Sequence, residues 1–157
     1  MEPLARLCTW RGSPPFPLPA PFCGVRENLT YAYLEYTRLQ PLFQLLQNLL
    51  LRFWMHFFPH LFTFAHPVRG PMKSRDLLVN LLLALAKVAI YNIRRRMLDE
   101  RVLCDYGAYF CSSLVSRIRA EFLWAASTGS PDSCEEQWVL SRVLCSVSRS
   151  GSLVLNL

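Results

Sequence analysis

The sequence predicts a mainly α-helical protein: a small domain of about four helices that ends in a β-hairpin and follows a Pro-rich, disordered arm. Three observations carry this prediction: prolines crowd the N-terminal residues, apolar residues recur at helical spacing from Gln40 onward, and β-branched residues alternate near the end. The length of 157 residues fits one domain rather than two. We assign 1–26 to the arm or linker and 27–157 to a single helical domain.

The arm is predicted from its prolines, because proline fixes φ and removes a backbone donor. These residues are Pro3, Pro14, Pro15, Pro17, Pro19 and Pro21. The first helix begins near Gln40, where Pro41 suits the first turn, and ends by Pro59. Its apolar stripe comprises Leu42, Leu45, Leu46, Leu49 and Phe53. The stretch from His56 to Met72 is predicted to be a loop with aromatic anchors, since prolines and a glycine interrupt it.

The longest helix is expected from Ser74, as its cap, to about Val102, with Asp76 facing the positive end of the helix dipole. Its first half is apolar nearly all round, which is typical of a helix buried among others. One narrow stripe along this helix is polar. Its residues are spaced seven apart, and Tyr91 lies at its edge. The stripe consists of Asn80, Lys87 and Arg94.

The next helix is predicted from Tyr106 to Ala126, with an inner stripe every four residues. That stripe is Phe110, Leu114, Ile118 and Phe122. A capping box at 133–136 predicts a short helix through Trp138. Alternating segments at 143–147 and 153–155 flank a Ser- and Gly-bearing turn, which predicts the terminal hairpin.

A formal charge of +6 favours anionic partners, either nucleic acid or an acidic membrane surface. The alternative is simply a soluble basic surface. No secretory signal supports an oxidising compartment, so we expect the six cysteines to be reduced and the chain to be intracellular, with nucleus and cytoplasm not distinguished. The apolar run 77–90 is too short, and the run 42–64 too interrupted, for a membrane span.

Catalytic motifs are not found: the sequence contains neither a Gly-rich phosphate loop nor a nucleophile elbow. His56 and His60 have the four-residue spacing of a metal-binding helix face, but Pro59 lies between them and two ligands are too few. We therefore expect no enzyme, no cofactor and no metal.

A basic cluster is the strongest chemical feature, because Arg side chains suit phosphate and Tyr can stack on a base. The candidate nucleic-acid-binding residues are Lys87, Tyr91, Arg94, Arg95, Arg96 and Arg101. Arg117 and Arg119 follow on the next helix. The alternative is that the arginines complement the helix dipole and keep an apolar domain soluble.

The segment Leu78–Tyr91, followed by Arg94 and Arg95, resembles a block that reads N-x-hydrophobic-x-x-x-A-K-x-A-I-Y…R. This block lies near the end of the reverse-transcriptase protein of vertebrate LINE-type (non-LTR) retrotransposons. Upstream, Glu27–Tyr36 is similar to that family's E-T-L-x-H-x-x-x-x-C. The resemblance covers roughly 20–157.

In the family the upstream segment is a zinc knuckle, and its four ligand positions fall on Ala20, Cys23, Tyr31 and Tyr36. One ligand of four is retained, so the resemblance implies a degenerate knuckle that cannot hold zinc. It also implies a detached, non-catalytic C-terminal fragment that binds nucleic acid, chiefly RNA, weakly and without specificity. The alternatives are a helical module that binds a protein partner through exposed apolar helix faces, and a translated relic with no selected function.

Overall fold

The computed structural model describes residues 30–67, 73–100, 102–129, 138–139 and 142–157. In these residues the chain forms four α-helices and a two-stranded hairpin, which confirms the predicted fold class. The helices are α1 (Gln40–Leu51), α2 (Pro59–Phe64), α3 (Ser74–Glu100) and α4 (Tyr106–Thr128), and the strands are β1 (Cys145–Val147) and β2 (Leu153–Leu155). The Pro-rich arm and the capping box at 133–136 lie outside the described residues.

The N-terminal described segment reaches α1 through two tight turns. A π-helical turn at Tyr31–Glu35 is followed by a 3₁₀ turn at Thr37–Leu39. Pro41 then stands in the first turn of α1, where its missing N–H has no helical partner to lose. The predicted stripe is confirmed in part: Leu42, Leu46 and Leu49 are buried, Leu45 is only partly buried, and Phe53 is buried but lies beyond the end of the helix.

Helix α1 ends in a Schellman-type pattern. The N–H of Trp54 donates to the Leu51 carbonyl, and the N–H of Met55 donates to the Leu50 carbonyl. This pattern needs a left-handed residue, normally glycine, and here that residue is Trp54 at φ 60°. The Trp54 side chain is 94% exposed, so packing does not repay the strain of a bulky residue in this region.

Helix α2 corrects the sequence analysis, which predicted an uninterrupted loop from His56 to Met72. The chain forms one and a half turns at Pro59–Phe64, and Pro59 is the first helical residue. Proline therefore starts this helix rather than preventing it, because its fixed φ suits that position. Leu61 and Phe62 are buried and attach α2 to the core.

Helix α3 is the central element and has the length and burial that its apolar run predicted. Ser74 is its first helical residue rather than a cap outside it, and Asp76 lies in the first turn as expected. The Asp76 carboxylate is buried, with Oδ1 3.3 Å from Nε2 of His66 and 3.7 Å from Nη2 of Arg75. The segment before the helix is thereby held against the first turn.

Helix α4 is capped at both ends by its own sequence. Asp105 Oδ1 accepts a hydrogen bond from the N–H of Ala108 at 2.7 Å, and Gly129 takes the left-handed position at the other end. Gly107 lies so close to Pro41 that a Cβ would stand 3.3 Å from the Pro41 carbonyl carbon. A larger side chain at this position would require the starts of α1 and α4 to shift apart by a few tenths of an ångström.

The hairpin contacts the helices through a buried side chain and through backbone carbonyls. Strands β1 and β2 pair antiparallel, with Cys145 opposite Leu155. Cys145 is buried, and the Arg52 guanidinium at the end of α1 donates to the carbonyls of Val143 and Asn156. The buried core includes Leu78, Leu82 and Ile93 of α3 and the inner stripe of α4, in which Phe122 is only partly buried.

The left-handed Trp54 predicts a stabilising substitution. Trp54→Gly should raise the free energy of unfolding by about 0.5 to 1 kcal/mol, because relief of a left-handed non-glycine residue outweighs the greater freedom of glycine in the unfolded chain. Urea unfolding measures the change. The matched control is Trp54→Ala, which keeps a Cβ and should give no gain. A lower unfolding midpoint for Trp54→Gly would contradict this account of the helix end.

Candidate nucleic-acid interface

The predicted nucleic-acid-binding residues divide into an inward-facing and an outward-facing set. Arg94 is 1% exposed, and its Cζ lies 5.0 Å from the centroid of the Tyr36 ring. The expectation that Arg94 faces solvent is therefore wrong. A guanidinium loses hydration when it is buried, and a ring face offsets part of this loss because its π electrons attract the cation.

The rest of the predicted polar stripe also faces neighbouring chain segments. Lys87 is partly buried, with Nζ 5.8 Å from the centroid of the Phe62 ring. Asn80 accepts a hydrogen bond from the His66 N–H at 2.7 Å and donates to the His66 carbonyl at 3.3 Å. We call Asn80, Lys87 and Arg94 the polar seam. The seam joins α3 to the segment that precedes α1, to α2 and to the segment that follows α2.

Arg95 and Arg96 are exposed, as predicted, and each stands one helical turn from an acidic residue. Arg95 Nε lies 3.6 Å from Asp99, and Arg96 Nη2 lies 3.1 Å from Glu100, to which it also donates through Nε. The hydrogen bond that Arg96 donates to Glu100, and then the negative charge of the Glu100 carboxylate, raise the pKa of the Arg96 guanidinium. We call Arg95 and Arg96 the exposed arginine pair. Tyr91 is partly buried, and Arg101 lies outside the described residues.

On α4 the two arginines differ in what they contact. Arg117 Nε donates to the Glu121 carboxylate, which also accepts a hydrogen bond from the indole N–H of buried Trp138. Arg117 is thus part of the contact that holds Trp138 to α4. Arg119 is exposed and makes no ion pair within the described ranges.

The described positions of the degenerate knuckle form an aromatic cluster. The rings of Tyr31 and Tyr36 have centroids 5.8 Å apart, and Tyr36 meets Tyr106 edge-on at 6.1 Å. Ala20 and Cys23 lie outside the described residues. Where the structure describes the chain, no three His, Cys, Asp or Glu residues are grouped so that they could hold a metal ion.

Two further expectations concern α3 and the cysteines. By length and composition alone α3 could cross a membrane, and half of its most apolar stretch is buried inside the fold. The core helix of a soluble protein passes the same test, so the expectation of no membrane span stays a prediction. Cys104 and Cys111 form no disulfide with another described residue, and Cys145 is buried. The remaining cysteines fall outside the described residues.

The sequence analysis missed a row of exposed aromatic side chains between α1 and α2. Trp54, His56 and Phe58 are exposed, whereas Met55 and Phe57 between them are partly buried. Exposed and partly buried residues alternate here with the period of an extended segment. The sequence analysis continued the pattern of the first helix towards Pro59 and therefore did not recognise this alternation. We call Trp54, His56 and Phe58 the aromatic ladder.

The contact between Arg94 and Tyr36 can be measured by a double-mutant cycle. Tyr36→Leu removes the ring face and Arg94→Met removes the charge while keeping the stem. The two changes should be coupled by about 1 to 2 kcal/mol in urea unfolding, the strength of a desolvated cation–π contact. Lys87→Met paired with Tyr36→Leu is the control and should be additive within about 0.5 kcal/mol. Additivity of the first pair would contradict a direct contact.

Comparison with known proteins gives one informative similarity. The chain is 45% identical over 132 residues to the "Transposon TX1 uncharacterized 149 kDa protein" of Xenopus laevis. The matched region covers 84% of this chain, but the chain spans only about 10% of the length of that relative. No family model and no solved structure matches. The similarity supports a LINE-type retrotransposon-derived protein.

Proposed function

We propose that the chain corresponds to a non-catalytic C-terminal region of a retrotransposon protein and that it binds nucleic acid, chiefly RNA, weakly and without sequence preference. The observation that carries the proposal is the exposed arginine pair. These two guanidinium groups are exposed near the C-terminal end of α3, just after the segment Leu78–Tyr91 that resembles the block of the retrotransposon protein.

The geometry of the exposed arginine pair favours weak binding. Exposed ion pairs between residues one helical turn apart contribute little to folding stability, because water screens them and both side chains lose freedom. A phosphate can therefore displace Asp99 or Glu100 at small cost. The same carboxylates repel the phosphate, which keeps the affinity low and dependent on salt.

Three further parts of the proposal follow from the resemblance. The aromatic contact between Tyr31 and Tyr36 is consistent with a knuckle that has lost its zinc ligands. Without a knuckle, binding would rest on phosphate contacts, which carry no sequence information. We also propose an intracellular location, where such a protein would meet RNA.

The exposed arginine pair is tested by a salt series. Arg95→Gln combined with Arg96→Gln should flatten the slope of log affinity against log salt by about 1.4 for single strands, since each phosphate contact contributes about 0.7. Fluorescence anisotropy with a labelled oligonucleotide measures the slope. Arg149→Gln, an exposed arginine in the hairpin turn, is the control and should leave the slope near that of the unmodified chain. An unchanged slope in the double variant would remove the arginine pair from the interface.

A helical module for protein interaction is the second candidate. Leu123 and Trp124 favour it, because both are exposed on neighbouring positions of α4 and large apolar side chains in contact with water often mark a protein interface. Binding to a partner through these residues would persist at high salt, whereas binding through the arginine pair would not. The salt series therefore separates the two candidates.

A further inference from the structure

We propose that the aromatic ladder of Trp54, His56 and Phe58 is a stacking surface for the unpaired bases of a single-stranded nucleic acid. This inference rests on the proposed function, and it adds a site that the basic residues do not include. It also names the ligand class: unpaired strands rather than duplex.

Trp54 carries the first step of the inference. It occupies the left-handed position that ends α1, where glycine would be less strained, and its indole is 94% exposed. Neither backbone preference nor packing accounts for a tryptophan at this position. Strained residues that persist without a structural benefit occur mainly at functional sites, so the exposed indole points to a ligand.

The backbone of the ladder is fixed, which is the second step. The Phe57 N–H donates to Oε1 of Gln47 at 3.1 Å. The Phe57 ring packs 5.3 Å from that of Phe43 and 6.1 Å from that of Phe62. Because Phe57 is anchored inward, His56 and Phe58 on either side of it are directed outward.

Two rings of the ladder, those of His56 and Phe58, contact each other. The ring centroids of His56 and Phe58 are 6.2 Å apart with the ring planes tilted by 52°. Residues two apart in an extended segment are separated by about 6.6 Å. The two rings therefore leave no space for a base between them, and a base would stack on an exposed ring face. Trp, His and Phe all serve as stacking partners in proteins that bind single strands.

Charge favours a polyanion over an uncharged partner at this surface. Arg52 lies two residues before Trp54 and is exposed, and its two hydrogen bonds to backbone carbonyls both come from Nη1. Carbonyls do not neutralise the guanidinium. Within the described ranges Arg52 has no ion pair, so its other N–H groups can donate to a phosphate next to a base on Trp54. The formal charge of +6 acts in the same direction.

The test compares single-stranded oligouridine with a duplex RNA of equal length, using the full chain at one salt concentration. Trp54→Ala and Trp54→Gly should each weaken single-strand binding by about ten-fold and change duplex binding by less than about two-fold. Trp54→Gly is decisive, because it is expected to fold at least as well as the unmodified chain. Trp124→Ala is the matched control, since it removes another exposed tryptophan from α4, and it should leave both affinities unchanged.

Each of the following results would contradict the proposed stacking surface. Unchanged single-strand affinity in both Trp54 variants would exclude stacking, while salt-dependent binding by the unmodified chain would leave the proposed function intact. Equal losses for single strands and duplex would indicate a backbone contact instead of base stacking. If Trp54→Gly abolished self-association in sedimentation and spared RNA binding, the ladder would be a protein contact. Failure of the unmodified chain to bind any RNA would remove both the ladder and the proposed function.

Discussion

Two contacts between a cation and an aromatic ring, one buried at Arg94 and one partly buried at Lys87, determine how the segment before α1 and helix α2 pack on α3. Arg94 lies under Tyr36 and Lys87 lies over Phe62, while Asn80 pairs with the backbone of His66. The three seam residues have different partners: a ring, another ring and a peptide group. Sliding α3 by a single turn would leave all three polar groups without these partners, so the seam specifies one register for α3.

The seam also explains why so little of the basic cluster remains available to a ligand. Successive residues of a helix are rotated by about 100°, so the side chains that follow Arg94 turn away from the core. The cluster therefore divides at one residue boundary. Arg94 is buried within the fold, whereas Arg95 and Arg96 are exposed beside their acidic neighbours. Clustered arginines in a sequence do not necessarily share one environment.

Periodicity predicted the helices well, because apolar spacing reports directly on the buried face. It identified α1, α3, α4 and the hairpin, and it placed Asn80, Lys87 and Arg94 correctly on one line. Periodicity could not show whether these three residues face solvent or other segments of the chain. Polar residues on a line usually face water, but here aromatic rings that are distant in sequence cover them. For the same reason periodicity did not predict the exposure of Trp54, because that exposure depends on where α1 ends and not on a repeating pattern.

The link between Arg52 and the hairpin has a consequence for biosynthesis. Its carbonyl partners are 91 and 104 residues further along the chain. During translation α1 can form early. Arg52 can donate to both carbonyls only after almost all of the remaining described residues have been synthesised. Until Asn156 has been synthesised, the end of α1 is held only by its local hydrogen bonds and is not yet tied to the hairpin through Arg52.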